Sequence, residues 1–137
     1  MLNCFLKFPQ IQAQYFEIQR FIYIFANDSP NQNLYNMKII EINIHKIIEI
    51  CKLFHVRRLW VFGSILTPRF NDNSDVDLCV DFDWDKIPLL DSANNFFGFQ
   101  EALESLLGRK IDITDDSTVR NPYFREELNE TRRLIYG

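Results

Sequence analysis

The sequence predicts a small α/β domain of the α+β kind, in which helices flank a mixed β-sheet, and three patterns support this prediction. Residues 59–62 form a continuous apolar run, as expected for a strand covered on both faces. Residues 75–82 alternate between polar and apolar side chains, which is the period of a strand with one covered face. Two further stretches, about 41–55 and 92–107, repeat apolar residues at the spacing of core-facing helices. A length of 137 residues fits one domain with its own core.

The first helix and the first two strands are expected to follow one another directly. The loop between the two strands, residues 63–74, is too short for a helical crossover, so these strands should pair antiparallel or be offset. Its proline, asparagine and aspartate residues are turn formers. The apolar face of the first helix is expected to consist of Ile44, Ile47, Ile48, Cys51 and Phe54.

The second half of the chain adds a helix, a strand and a final helix. The second helix is expected to begin at Asp91 or Ser92, which favour N-caps, and to end at Gly108. A third strand over residues 110–114 repeats the polar–apolar alternation. The final helix begins at Asn121-Pro122, because proline suits the first helical position. Its apolar face is expected to consist of Phe124, Leu128 and Ile135.

Two aspartates at the start of the second strand are the first candidate site residues. Asp75 and Asp77 point to the same side of the strand, about 6–7 Å apart along it. Two neighbouring carboxylates repel each other unless a cation neutralises them. Oxygen ligands of this kind suit Mg²⁺, which completes its shell with water and substrate phosphates.

A third aspartate and a Gly-Ser turn are expected to join this pair. Asp112 lies between two isoleucines on the third strand, and Gly63-Ser64 follows the first strand. Gly63 allows a sharp turn of the backbone, and Ser64 offers a hydroxyl beside backbone N–H groups. If the third strand lies beside the second, three carboxylates converge where the turn brings its donors. The sequence therefore predicts a site for a metal-bound triphosphate.

Gly63-Ser64, then Ser74-Asp75-Val76-Asp77-Leu78, then the isolated Asp112 resemble the nucleotidyltransferase superfamily related to DNA polymerase β. The short length resembles its minimal nucleotidyltransferase branch, and the resemblance covers roughly residues 39–137. Members of this branch are often the antitoxin partners of HEPN-family ribonuclease toxins in prokaryotic two-gene operons. The sequence departs from the common Gly-Ser-x-Ala-Arg-Gly pattern, because Leu66-Thr67-Pro68 stands at the last three positions and Arg69 follows one place late.

The resemblance implies a magnesium-dependent transfer of AMP, or another NMP, from ATP to a hydroxyl, with two metal ions. The acceptor it implies is a tyrosine of a cognate HEPN toxin, so that the protein acts as an antitoxin. The catalytic and metal-binding residues would be Asp75, Asp77 and Asp112. The nucleotide-binding residues would be Gly63, Ser64, Ser74 and Arg69.

Two other functions remain open at this point. One is a binding antitoxin without catalysis that masks its partner, which the altered segment Leu66-Thr67-Pro68 keeps under consideration. The other is an adenylyltransferase that acts on a small molecule such as an aminoglycoside. That function needs a substrate-binding domain, for which a short chain has little room unless a dimer builds it.

Charge, cysteine content and hydropathy bear on the partners and the cellular compartment expected for this protein. A net charge of −4 and a pI near 5.1 give no electrostatic footprint for duplex nucleic acid. Three scattered cysteines, Cys4, Cys51 and Cys79, are typical of reduced thiols in the cytoplasm and not of a disulfide framework or zinc site. No apolar run approaches the roughly 18–20 residues that a membrane-spanning helix needs, so no membrane association is expected. Both homo- and hetero-oligomers are compatible with the sequence.

The first 36 residues differ from the rest of the chain. They are rich in Phe, Ile, Asn and Gln, whereas the site motifs all lie in residues 37–137. One interpretation is an added arm that contacts a partner. The other is that residues 1–36 precede a natural start at Met37 and do not belong to the native protein. In either case residues 37–137 are expected to form the minimal nucleotidyltransferase domain.

Overall fold

The computed structural model describes residues 36–137, and the predictions for residues 1–35 lie outside them. A short helix α1 precedes a longer helix α2, and two strands, a long helix α3, a third strand, helix α4 and a fourth strand follow. The helices are α1 Lys38–Glu41, α2 Ile44–Leu53, α3 Ser92–Leu107 and α4 Pro122–Thr131. The strands are β1 Val56–Phe62, β2 Val76–Phe82, β3 Ile111–Asp115 and β4 Arg133–Tyr136.

The four strands form one mixed sheet in the order β3-β2-β1-β4. Strand β1 pairs antiparallel with both β2 and β4. Strand β2 pairs parallel with β3, and α3 provides the crossover between them. The predicted α+β fold with a mixed sheet is confirmed, and so is the antiparallel pairing of the first two strands.

The sheet carries helices on both faces. The even-numbered side chains of β2 are buried, and Phe82 packs against Phe99 of α3 with ring centroids 5.4 Å apart. On the opposite face, a second apolar cluster joins Trp60 and Cys79 to Leu128 of α4. The odd-numbered side chains of β2 therefore lie on the α4 side of the sheet.

The final helix ends earlier than the sequence predicts. A helix that includes Ile135 is wrong, because the chain becomes extended at Arg132 (ψ 146°) and residues 133–136 form β4. Ile135 is buried from the sheet and not from a helix. The free edge of β1 explains this outcome, because its backbone groups need hydrogen-bond partners and β4 supplies them.

Helix boundaries agree with the capping residues in two places. Asn121 is the N-cap of α4, and its side chain accepts from the N–H groups of Tyr123 and Phe124. Gly108 ends α3 in the left-handed conformation (φ 62°), as predicted. The predicted helix over residues 41–55 is shorter, because the backbone breaks at Ile42 and Asn43 before α2 begins at Ile44.

Within residues 36–137, none of the helices combines the length and the apolar character needed to cross a bilayer. Cys51 and Cys79, the two cysteines in this part of the chain, are both buried.

Candidate active site

The Gly-Ser turn lies directly against one of the predicted carboxylates. Gly63 follows β1, begins a 3-10 turn and has a φ of +75°, which favours glycine over other residues. A Cβ at this position would lie 2.5 Å from Oδ2 of Asp77. Only glycine therefore lets the turn and the carboxylate approach so closely.

Asp77 and Asp112 are direct partners in the parallel pair of β2 and β3. Residues in register on neighbouring strands point to the same side of a sheet, so both carboxylates lie on the α4 side. Asp77 is half-buried, and burial raises the pKa of its carboxyl above the ordinary value. The negative charges of Asp112 and Asp75 raise this pKa further, so the three acids share one electrostatic environment.

Asp75 lies one residue before β2 and pairs with a lysine that sequence reasoning missed. Its Oδ2 is 3.6 Å from Nζ of Lys110, and both side chains are partly exposed. The sequence pattern could have identified this lysine, because Lys110 and Asp112 are two positions apart and share a face of the predicted third strand. The lysine supplies a positive charge at the acidic end of the sheet.

Metal binding by the three aspartates stays a prediction. No group of three or more His, Cys, Asp or Glu side chains in the described part of the chain is arranged closely enough to hold a metal ion. Asp77 and Asp112 are adjacent, whereas the carboxylate of Asp75 pairs with Lys110. The chemistry of the donor set nevertheless fits a hard divalent cation, because three carboxylates on one face repel each other.

The turn after Gly63 is closed by Thr67, one of the residues that depart from the common pattern. The carbonyl oxygen of Ser64 accepts from the N–H of Thr67 at 2.9 Å and from its hydroxyl at 2.8 Å. Thr67 also receives a hydrogen bond on its own carbonyl from the side chain of Asn36 at 2.7 Å. The substitution therefore has a structural role in shaping the turn.

Ser74 and Arg69, two predicted nucleotide-binding residues, lie in the loop that precedes β2. The Ser74 hydroxyl accepts from the N–H of Asn71 at 3.0 Å, which closes the loop on itself. Arg69 is exposed, and its N–H donates to the Thr67 hydroxyl at 3.3 Å. The structure thus brings Gly63, Asp77 and Asp112 together and places Arg69 and Ser74 on the neighbouring loop.

Beyond Asp77, the same face of β2 carries a structural cluster. The Asp116 carboxylate accepts from Arg132 at 2.7 Å and also from Arg125. Burial alone would raise the pKa of Asp116, but hydrogen bonds from the two arginines outweigh it and lower this pKa. Cys79 contacts the same carboxylate, and burial followed by the charge of Asp116 raises the pKa of the thiol to about 11. The thiol is therefore protonated at neutral pH and is unsuited to act as a nucleophile.

The opposite end of β2 is neutralised by arginines. Asp81 accepts hydrogen bonds from Arg57 at 2.9 Å and from Arg58 at 3.0 Å, and Asp83 pairs with Lys86. The acidic alternation past Asp77 therefore ends in ion pairs with the exposed side chains of two arginines and a lysine.

A cavity of about 490 Å³ adjoins the Gly-Ser turn on the side of α4. Phe62, Gly63 and Leu66 lie on one wall, and Phe124 and Leu128 of α4 lie on the other. The turn is therefore accessible from a cleft and is not covered by the helix.

Known proteins share both the sequence and the fold of this region. The family model described as polymerase beta nucleotidyltransferase matches residues 45–137. The protein adenylyltransferase MntA of Thermococcus cleftensis is 35% identical over 82 residues, which are 60% of this chain and 78% of the relative.

Solved structures give the same result for the fold. A structure provisionally described as a minimal nucleotidyltransferase is 26% identical, has a TM-score of 0.58, and is matched over 71% of this chain and 93% of its own. A complex of a tri-AMPylated Shewanella oneidensis HEPN toxin with MNT antitoxin has a TM-score of 0.50 at 18% identity, with 71% of each chain covered, which shows a shared fold. The chain described here therefore belongs to the polymerase beta nucleotidyltransferase family, and it is an enzyme of the nucleotidyltransferase kind.

Proposed function

We propose that this chain transfers AMP from ATP to a tyrosine hydroxyl of a partner HEPN toxin and thereby silences the toxin. Family membership supports nucleotidyl transfer. The name of the Thermococcus relative supports a protein as the acceptor. The AMPylated HEPN toxin in the Shewanella complex supports the identity of the partner. Within this proposal residues 37–137 are the active domain, residues 1–36 are an extension, and the enzyme acts in the cytoplasm.

The observation that carries the proposal is the contact of Gly63 with Asp77, together with the pairing of Asp77 and Asp112. The Gly-Ser turn and two acids meet at one end of one sheet face. This arrangement supports a reaction at a phosphate that is held between backbone donors and carboxylates.

Each residue has a distinct role in the proposed reaction. The N–H of Gly63 and the donors of Ser64 hold the terminal phosphates of ATP, as backbone donors do in other phosphate-binding turns. Asp112 accepts the proton of the attacking hydroxyl, whose oxygen forms a bond to the α-phosphorus of ATP. The bond from that phosphorus to the bridging oxygen breaks, and pyrophosphate leaves with the electron pair. Ser74 and Arg69 contact the nucleotide from the neighbouring loop.

Mg²⁺ fits this donor set, with Asp75, Asp77 and Asp112 as its proposed ligands. When bound, it neutralises the negative charge that develops on the phosphates during the transfer. The raised pKa of Asp77 is consistent with a role of this kind, because two nearby negative charges oppose its ionisation. In this proposal, Asp75 exchanges its ion pair with Lys110 for the cation.

A direct test uses ATP labelled on the α-phosphate, Mg²⁺ and a HEPN toxin as the proposed partner. The wild type is expected to label the toxin on tyrosine, and the double variant Asp75→Asn with Asp77→Asn is expected to lose at least about 1,000-fold of the rate, in the range of removing a principal catalytic group. The control variant Asp85→Asn changes an exposed acid beyond β2 and should keep full activity. No labelling by the wild type, or equal labelling by the double variant, would contradict the proposal.

The same double variant separates catalysis from masking. A binding antitoxin would still suppress its toxin at equal copy number after both carboxylates are replaced. The binding antitoxin stays under consideration because of Thr67. This residue departs from the common family pattern and closes the turn through a hydrogen bond to Ser64. Loss of suppression together with loss of labelling supports the enzyme.

A further inference from the structure

We propose that Arg109 is a positioning residue that fixes the backbone of Asp75 opposite Asp112. This inference rests on the proposed function, because it concerns the geometry of the carboxylates that take part in the transfer. Arg109 lies between α3 and β3, where it faces the loop that precedes Asp75.

The guanidinium of Arg109 makes several contacts with this loop. Its NH1 group donates to the carbonyl of Asn71 at 2.8 Å and to the carbonyl of Ser74 at 3.0 Å. Its carbon Cζ lies 4.7 Å from the centre of the Phe70 ring, and its NH2 group is 3.5 Å from the Asp72 carboxylate. Only 16% of the Arg109 side chain is exposed, so the arginine itself is largely shielded from water, whereas the Asp72 carboxylate is not.

The backbone of Asp75 is held on both sides by the segment Arg109-Lys110. On one side, the carbonyl of Ser74 accepts from the Arg109 side chain. On the other side, the N–H of Val76 donates to the carbonyl of Lys110 at 3.0 Å. Since Lys110 leads directly into β3, these bonds transmit the position of the Asp112 strand to Asp75.

The loop that Arg109 contacts is closed by its own hydrogen bonds. Asn71 and Ser74 bond each other reciprocally, because the N–H of Ser74 donates to the Asn71 carbonyl and the N–H of Asn71 donates to the Ser74 hydroxyl, both at 3.0 Å. A contact that fixes one residue of this closed loop therefore fixes its neighbours. The effect reaches Asp75 as the next residue in the chain.

The contacts require arginine and not only a positive charge. A planar guanidinium can bond two carbonyls while it stacks on an aromatic ring, whereas the lysine ammonium is a compact charge on a flexible chain. The pair with Asp72 contributes little, because that carboxylate is fully exposed. We therefore expect Arg109→Lys to keep the charge but to lose the position of the loop.

The experiment compares Arg109→Lys with Arg57→Lys, which changes an exposed arginine at the far end of the β1–β2 pair in the same conservative way. For Arg109→Lys, we expect kcat to fall about 10- to 100-fold, as small misplacements of reacting groups do. The KM for ATP should change less than kcat, because Gly63 and Ser64 still hold the terminal phosphates although Ser74 and Arg69 move with the loop. The Mg²⁺ concentration for half-maximal activity should rise. Arg57→Lys should match the wild type in all three quantities.

A second readout does not depend on the reaction. The affinity of each protein for Mn²⁺ in the absence of ATP is measured by calorimetry, and we expect Arg109→Lys to bind several-fold more weakly than the wild type. Equal Mn²⁺ affinity, including no binding by either protein, overturns the positioning role, as does an unchanged kcat in an active enzyme. If the wild type transfers no AMP, the proposed function fails while the Mn²⁺ comparison still decides the role of Arg109. Circular dichroism shows whether each variant is folded.

Discussion

Gly63 is the residue whose replacement should affect the site most selectively. Its left-handed backbone (φ +75°) is one constraint, and the distance of only 2.5 Å that would separate a Cβ from Oδ2 of Asp77 is another. In Gly63→Ala, the methyl group must displace the carboxylate or the turn. We expect transfer to fall at least about 100-fold, since misplacement of a reacting group by about 1 Å has this effect. The labelled-ATP assay measures the loss.

Gly108→Ala is the matched control for this variant. Gly108 has a similar backbone conformation (φ 62°), but a Cβ there meets nothing within 4 Å. Gly108→Ala should lose about 1–2 kcal/mol of stability, the cost of a left-handed backbone for a residue with a side chain, and Gly63→Ala should lose at least as much. Only Gly63→Ala should lose activity. Equal activities of the two variants would show that the contact with Asp77 does not matter for the reaction.

Asp77 is expected to lower the stability of the protein at neutral pH. Its pKa is raised in the folded state by burial and by Asp112 and Asp75, so ionisation above that pKa opposes folding. Asp77→Asn removes this charge and should raise Tm by a few degrees at pH 7. The gain should disappear below about pH 4, where the carboxyl is protonated in both the folded and the unfolded chain. Thermal unfolding across this pH range tests the sign.

The pH dependence of Tm distinguishes the removal of a charge at Asp77 from an improvement in packing. Asp85→Asn removes an exposed acid and should leave Tm nearly unchanged at every pH. A gain in Tm for Asp77→Asn that persists at pH 3 would mean that charge is not its cause. The variant should be inactive while it is more stable, as is common for charged groups held at active sites.

The site was predictable from the sequence as far as local periodicity reaches. Alternation along β2 places Asp75 and Asp77 on one face, and the parallel register with β3 then adds Asp112. Lys110 follows from the same alternation. The loop contacts of Arg109 do not, because its partners are backbone carbonyls, which carry no signal in the identity of residues 71 and 74.

At the scale of the element, the two longer helices of the second half begin differently. The Asn121 side chain accepts two backbone N–H groups at the start of α4, whereas the Asp91 side chain makes no capping bond at the start of α3. Asn121→Ala should therefore cost about 1 kcal/mol of unfolding free energy. Asp91→Ala should cost much less. Urea unfolding of the two variants measures the difference, and equal losses would argue against the capping bonds of Asn121.

The bounds of a helix or strand were predictable where the local sequence pattern fits only one type of secondary structure. Residues 92–107 form α3 as expected, and Gly108 ends it. Strand β4 was not predictable, because Ile135 also fits the apolar spacing of a helix that begins at Pro122. Its true partner is β1, more than 70 positions earlier, and local periodicity carries no information about that pairing.

At the scale of the whole molecule, Asp116 ties several elements together. Its carboxylate joins Arg125 of α4, Arg132 at the start of the last strand and Cys79 in the centre of the sheet. The guanidinium carbon of Arg132 lies 4.0 Å from the centre of the Trp60 ring, which adds β1 to the cluster. The position of α4 against the sheet, and hence one wall of the cleft, depends on these contacts.

Asp116→Asn should therefore destabilise the protein by about 1–3 kcal/mol at pH 7, because two shielded arginines lose their shared carboxylate. The pKa of Asp116 is lowered in the folded state, so its stabilisation is present above the ordinary carboxyl pKa and is lost as the pH falls below about 4. The difference between variant and wild type should shrink over that range. Chemical unfolding at pH 7 and at pH 3 measures it.

Asp81→Asn is the matched control for this prediction. Asp81 also joins two arginines, but both are more than half exposed, and exposed ion pairs contribute little to stability. We expect a loss below about 1 kcal/mol at both pH values. A larger loss for Asp81→Asn than for Asp116→Asn would place the main electrostatic support at the other end of β2.

The pairing of β2 with β3 across α3 has a consequence for the order in which the residues of this site are synthesised. Asp75 and Asp77 leave the exit tunnel first, and their partner acid emerges only after α3 has been translated. A nascent chain that stops within α3 therefore holds a Gly-Ser turn and two acids but lacks the third. If these three acids carry the transfer proposed above, the reaction can begin only once translation has passed Asp112.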